Sequence, residues 1–301
     1  MSRILLEVCV DDPDPLEAAV AGGADRIELC SALGAGGLTP SPGLMAAAAS
    51  PPVPVYAMIR PRAGDFIYDR ADLEVMRHDI DAARHAGLAG VVLGASLADG
   101  RLDARMLTKL AGHASGLGLT LHRAFDLVPD FAEAVEIAAD LGFERILTSG
   151  GARTAPEAAD TLERLIELAA GRLSIMPGSG ITVDTVGAIV PRLAVAEVHS
   201  SCSVAEPAKD KRLVEMGFAA PERRRTDAAT IRAMRARLDA IGSKIRAEVV
   251  RLPSGVSPSS GLPPTFSPQA GEGTSGDCLP SRNCPFRRAS TLSPPAERGF
   301  G

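Results

Sequence analysis

Eight short apolar runs, separated by amphipathic stretches rich in Ala, Leu, Glu and Arg, constrain this chain more than any other feature. The runs are residues 4–10, 26–30, 53–59, 90–94, 119–122, 145–149, 173–177 and 195–199, with helix-like segments such as 15–21, 71–85, 131–141 and 155–170 between them. Strand and helix alternating in this way predict a parallel sheet covered by helices, and eight repeats predict its closure into a (β/α)₈ TIM barrel. Such a barrel needs about 250 residues, and the chain has 301. Helix ends are marked by Gly22-Gly23, Gly87 and Gly142, where glycine suits the left-handed residue that closes a helix. Residues 226–248 read as one long amphipathic helix that caps or edges the barrel, within a stretch from about 209 to 250 expected to be helical. From 251 to 301 the chain turns dense in Pro, Ser and Gly without apolar periodicity, and is expected to be a disordered tail. The domain is thus 1–250.

Alternation along the strands says which side chains point inward. Ile4, Leu6, Val8 and Val10 share one face of the first run; Leu5, Glu7 and Cys9 share the other. In the second run Ile27 and Leu29 oppose Arg26, Glu28 and Cys30. The aliphatic faces should meet the helices, so the polar faces should line the barrel interior or its mouth. Arg60, His122, Ser149, Glu197 and His199 follow the same pattern in later strands.

Composition narrows the partners. The net charge of −5 comes without a long basic block, which speaks against nucleic acid or an anionic membrane as the main partner. No apolar run reaches the ~20 residues that span a bilayer, and the N-terminus lacks signal-peptide features. Five widely spaced cysteines argue for a reducing, cytoplasmic setting over a disulfide scaffold.

Several strings occur in order from residue 4 to about 203. They are Leu6-Glu7-Val8-Cys9-Val10, Gly22-Gly23-Ala24-Asp25-Arg26-Ile27-Glu28-Leu29-Cys30, Gly36-Gly37-Leu38-Thr39-Pro40-Ser41 and Ile59-Arg60-Pro61-Arg62-Ala63-Gly64-Asp65-Phe66. Then come His122-Arg123-Ala124-Phe125-Asp126, Leu147-Thr148-Ser149-Gly150-Gly151, Met176-Pro177-Gly178-Ser179-Gly180 and Glu197-Val198-His199. As a set they resemble the CutC family. The resemblance implies a TIM barrel, a cytoplasmic location and a role in copper homeostasis, with Cu(I) as the ion handled.

Functional groups of such barrels gather at the C-terminal strand ends, where these motifs lie. Two chemistries compete there. Cys9 and Cys30, on strands roughly 4.8 Å apart, could hold Cu(I), which favours thiolates, with Cys202 as a third sulfur. Equally, both cysteines could be small buried apolar residues. The second chemistry is acid–base work on a small phosphorylated or carboxylated metabolite. Glu7, Glu28, His122 and His199 would be its catalytic groups. Arg60, Arg62, Arg123, Asp126 and Ser149 would bind the substrate. Gly178, Ser179, Gly180 and Ser200, after strands seven and eight, would cradle its anion. Glu7, Glu28, His122 and His199 could instead ligate a harder divalent metal.

Blander roles also fit: Glu7–Arg60 or Glu28–Arg26 ion pairs, hydrogen-bonded core histidines, and helix caps at Asp65 and Asp126. The long connections 31–42 and 61–70, with Phe66, Ile67 and Tyr68, suit a lid or the contact of a homo-oligomer.

Overall fold

A computed structural model describes residues 3–251 of the chain. The expected tail therefore lies outside the described residues apart from Arg251, and so do Cys278 and Cys284. Eight parallel strands form the sheet: β1 (Leu5–Val10), β2 (Arg26–Leu29), β3 (Val55–Met58), β4 (Gly90–Leu93), β5 (Gly118–Leu121), β6 (Arg145–Thr148), β7 (Ser174–Pro177) and β8 (Glu197–Ser200). Their order is β7-β6-β5-β4-β3-β2-β1-β8, and β7 and β8 lie side by side, which nearly closes the barrel.

Seven helices alternate with the strands: α1 (Pro13–Gly22), α2 (Pro42–Ala47), α3 (Arg70–His85), α4 (Ala104–His113), α5 (Phe131–Asp140), α6 (Ala159–Ala169) and α7 (Val186–Leu193). The aliphatic strand faces meet them as expected. Ile4, Leu6, Val8, Val10, Ile27 and Leu29 all lie in one apolar core with Leu73, Met76, Ile80, Leu107 and Leu162. Gly23 closes α1 at φ 93°, and its N–H caps Val20 O and Ala19 O.

Only four residues long in most cases, these strands carry little sheet of their own, and the interior must be filled by a few large side chains. Tyr56 fills the lower interior. Its hydroxyl donates to Glu144 at 2.8 Å, and the Arg145 guanidinium stacks 4.9 Å from its ring centre. Gly90 and Gly118 make this possible, since a Cβ on either would lie 2.2 Å from a Tyr56 atom.

After β8 the chain departs from expectation. A hairpin precedes the last helix: β9 (Ser203–Pro207) and β10 (Glu222–Thr226) pair antiparallel, with the short α8 (Lys211–Glu215) between them. The stretch expected to be helical from about 209 is therefore partly strand. The sequence Glu222-Arg223-Arg224-Arg225-Thr226 lacks the apolar alternation that marks a half-buried strand, because both faces of this hairpin are largely exposed.

α9 (Ala228–Arg251) then takes the place of the eighth helix, packed between α1 and α7. Ile231, Met234 and Leu238 are fully buried beneath it. Gly22 lacks the Cβ that would collide with Ile231 at 2.6 Å. Arg235 reaches from α9 to the foot of the barrel, donating to Ile4 O at 2.8 Å and to Asp25 at 2.7 Å.

Candidate functional site

Strand register builds the site in layers. Glu7 pairs in register with Arg26 on one side and His199 on the other, and Cys9 pairs with Glu28. All five side chains face inward, so a charged layer lies below a layer that opens to the mouth. In the lower layer Arg26 donates from Nε to Glu7 and from Nη2 to Glu197, the latter at 2.5 Å. Arg145 approaches Glu197 at 3.5 Å. The expected Glu7–Arg60 pair does not form, and Glu28 is paired with His199 instead of Arg26.

The other Glu7 oxygen meets His199 Nδ1 at 2.8 Å, while His199 Nε2 lies 3.9 Å from Glu28. Burial alone would raise the Glu7 pKa, but the charges of Arg26 and His199 outweigh it and bring the value down to about 2. Burial opposes charging of His199, yet Glu28, Cys9 and Glu7 together raise its pKa well above the ordinary value. Burial raises Glu28 as well. Both members of the His199–Glu28 pair are thus shifted toward their protonated forms, and Glu7 orients the imidazole through its bond to Nδ1.

Above this layer lies a cavity of about 490 Å³ at the C-terminal mouth. Its wall brings together Cys9, Glu28, Arg60, His122, Arg123, Ser179, Gly180, His199 and Ser200 from the sequence-based set. Arg60 comes from the end of β3 and is almost fully buried, with no carboxylate partner among the described residues. Its guanidinium donates to Ala35 O, Gly37 O and Gly64 O at 2.9–3.1 Å. The residue thereby ties down both long connections, while its Nε has no partner. Phe66, expected in a lid or subunit contact, sits in the cavity wall against Arg60 and His122, each 4.9 Å away by ring or guanidinium centre.

His122, at the end of β5, accepts from the Ala124 N–H at Nδ1, 3.2 Å away. A neutral ring so held carries its proton on Nε2, and that atom is buried without a partner. Burial, helped by the charge of Arg60, pushes the His122 pKa down to about 4. The Glu28 Oε1 is likewise buried and unpartnered. Arg123 lies on the rim and donates to Asp126 and Ser149, both at 2.7 Å.

Apart from Ser200, the remaining residues lie outside the cavity wall. Glu7 is buried beneath it. Asp126 and Ser149 bond to one another and to the β6 end, where Thr148 Oγ1 donates to Asp126 at 2.5 Å. Arg62 faces outward to Asp65 and Asp72. Gly178 makes room for Leu147, which a Cβ would approach to 2.4 Å, and for His199. Ser200 lines the cavity but donates its hydroxyl to Ile181 O at 2.7 Å. Cys30 packs with Met58, Tyr56, Val92 and Leu33, and Cys202 is a buried free thiol. A donor cluster does form, but from Cys9, Glu28 and His199, whose ligand atoms all lie within 4.8 Å of one another.

Sequence reasoning missed the wall residues Leu33, Met58, Leu147, Thr182 and Arg224. The first three are apolar and carry no signal distinct from core positions. Arg224 has one: it is the middle of three consecutive arginines in a strand, so its side chain faces away from those of its neighbours.

Comparison with known proteins agrees with this architecture. The family model described as CutC family matches residues 4–204. A CutC family protein of Rhizobium meliloti (strain 1021) is 89% identical over 244 residues, covering 81% of this chain and 100% of the relative. One from Caulobacter vibrioides (strain NA1000 / CB15N) is 58% identical over 231 residues, covering 76% of this chain and 94% of its own. Among solved structures, a Streptococcus agalactiae protein named copper homeostasis protein CutC is 32% identical. It covers 66% of this chain and 98% of its own, with a TM-score of 0.63. The thiamine phosphate pyrophosphorylase from Pyrococcus furiosus is similar at a TM-score of 0.50 and 13% identity, covering 79% of this chain and 96% of its own; that likeness concerns the barrel alone. With two thirds of its length matched by the family model and relatives of such identity, the chain belongs to the CutC family.

Proposed function

We propose that the mouth pocket binds a small phosphorylated or carboxylated metabolite and performs acid–base chemistry on it. One observation carries this reading. Arg60, a buried cation without a carboxylate partner among the described residues, shares a cavity wall with the unpartnered Nε2 of neutral His122 and the unpartnered Oε1 of Glu28. Buried polar groups left unsatisfied are costly, and an anionic ligand with a carbonyl or hydroxyl oxygen would satisfy all three. In such a ligand Arg60 offsets the negative charge. The His122 Nε2–H donates to an oxygen on which charge develops. Glu28, its pKa raised by burial, exchanges a proton with the ligand while Glu7 keeps the neighbouring His199 imidazole in place. The rim group Ser179-Gly180 follows β7, where barrels often hold phosphate.

Isothermal titration of the full chain against a panel of phosphorylated and carboxylated metabolites tests the reading. At least one is expected to bind the wild type, with loss of about tenfold or more in His122→Gln and Arg60→Gln. Unchanged binding in both variants, or no binding by the wild type, would remove its basis.

Copper supports a second reading, favoured by the Cys9–Glu28–His199 cluster and by the name of the Streptococcus agalactiae relative. In this reading the protein serves copper homeostasis by holding an ion at that cluster. One thiol with one nitrogen and one oxygen donor suits a borderline ion better than Cu(I), which favours two or more sulfurs. Competition for Cu(I) against a chromophoric chelator decides it: Cys9→Ser should lower affinity at least tenfold if the reading holds, and Cys30→Ser should then have little effect. For either reading we infer a cytoplasmic setting, supported by the free thiols Cys9, Cys30 and Cys202.

A further inference from the structure

Three consecutive arginines on β10 meet different fates. Arg223 pairs with Glu206 at 2.9 Å and Arg225 with Asp14 at 3.5 Å. Arg224, turned to the opposite side by strand alternation, has no carboxylate partner among the described residues. It donates from Nε to Ser203 Oγ at 2.9 Å and from Nη2 to Ser203 O at 2.6 Å. These two bonds fix the guanidinium on the cavity wall and leave Nη1 free. The hairpin that delivers Arg224 is itself tied to the barrel, since Thr226 donates to Cys9 O at 3.1 Å. In the sheet order β3, just after which Arg60 lies, is separated by β2 and β1 from β8, after which the hairpin begins. The pocket wall therefore carries two arginines without a carboxylate partner among the described residues, Arg60 buried inside it and Arg224 on the hairpin side.

We propose that Arg224 is a specificity-determining residue that forms a second anion pole of the pocket, so that the ligand is a small molecule bearing two anionic groups. The proposal rests on the anion-binding reading above and narrows its substrate class. Arg60 and the β7 end receive one group. Arg224 receives the other, and β10, which lies beyond the family-matched residues 4–204, supplies the discrimination. A planar guanidinium held by two bonds is pre-organised for bidentate contact with a carboxylate or phosphate.

The test uses the full chain with two probes, inorganic phosphate as a single-anion ligand and 2-phosphoglycolate as a two-anion ligand, in titration calorimetry at fixed ionic strength. The wild type should bind 2-phosphoglycolate about tenfold or more tightly than phosphate, the increment expected of one charge-assisted contact. Arg224→Gln should abolish that preference by lowering 2-phosphoglycolate affinity at least tenfold, and Arg224→Lys should keep part of it. Arg223→Gln and Arg225→Gln, whose charges are already paired, should retain the preference. If Arg224→Gln keeps the preference while His122→Gln weakens both probes, the second pole is overturned and the anion pocket stands. If all three arginine variants lose the preference equally, general charge accounts for it and the assignment to Arg224 fails. If the wild type binds neither probe, the anion pocket itself falls and the second pole with it.

Discussion

Glu7 and His122 show how the barrel interior sets ionisation. The Glu7 carboxyl, at about 2 in the fold, gains stability from being charged. That contribution is complete above its ordinary value of 4.5 and is lost as pH falls from there toward about 2. His122 is held neutral, with its pKa lowered from 6.5 to about 4. The unfolded chain binds this proton first, so stability falls as pH drops from 6.5 toward 4. Replacing His122 by Phe should flatten the stability profile in that window, measured by urea unfolding at successive pH values. A slope unchanged by the substitution would show that the ring is not held neutral. Within the lower layer, Arg26→Met leaves Glu7 and Glu197 without their shared cation. The expected loss is about 3–5 kcal/mol, the cost of removing one partner from a buried ion-pair network; a change below about 1 kcal/mol would mean the network is solvated.

Short strands make element packing depend on small residues. Gly118→Ala drives a Cβ toward the Tyr56 hydroxyl and Glu144. It should cost about 1–3 kcal/mol as an overpacked site, and Tyr56→Phe in the same chain should recover part of the loss. Gly94→Ala would place a Cβ 2.5 Å from the His122 ring, so it should weaken ligand binding more than it lowers the unfolding temperature. α9 behaves as an integral element: its residues Ile231, Met234 and Leu238 are fully buried, and removal of the chain from residue 228 onward should abolish cooperative unfolding. A truncated chain that still unfolds in one sharp transition would show that α1 and α7 seal the barrel alone.

Across the whole molecule, closure brings side chains from distant parts of the chain into one chamber. The Glu7–His199 contact joins positions 192 residues apart, and the Thr226–Cys9 bond spans 217. Among the described residues no helix is long and apolar enough to cross a membrane. Exposed apolar side chains, Leu213, Met216 and Phe218, stand on the excursion between β9 and β10.

The strand–helix period, the inward polar face of each strand and the glycines that end helices were legible along the chain, because each is written in local spacing. They determined the barrel, placed Glu28, His122 and His199 at one mouth, and put Ile4, Leu6 and Val8 against the helices. Partners were not legible. Glu7 faces Arg26 instead of Arg60, and Cys9 joins Glu28 and His199 while Cys30 packs against Met58, because strand stagger and barrel closure decide which inward residues share a level. The hairpin carrying Arg224 escaped detection for a related reason: a strand exposed on both faces needs no apolar alternation, and only the barrel beneath it gives its middle arginine a direction.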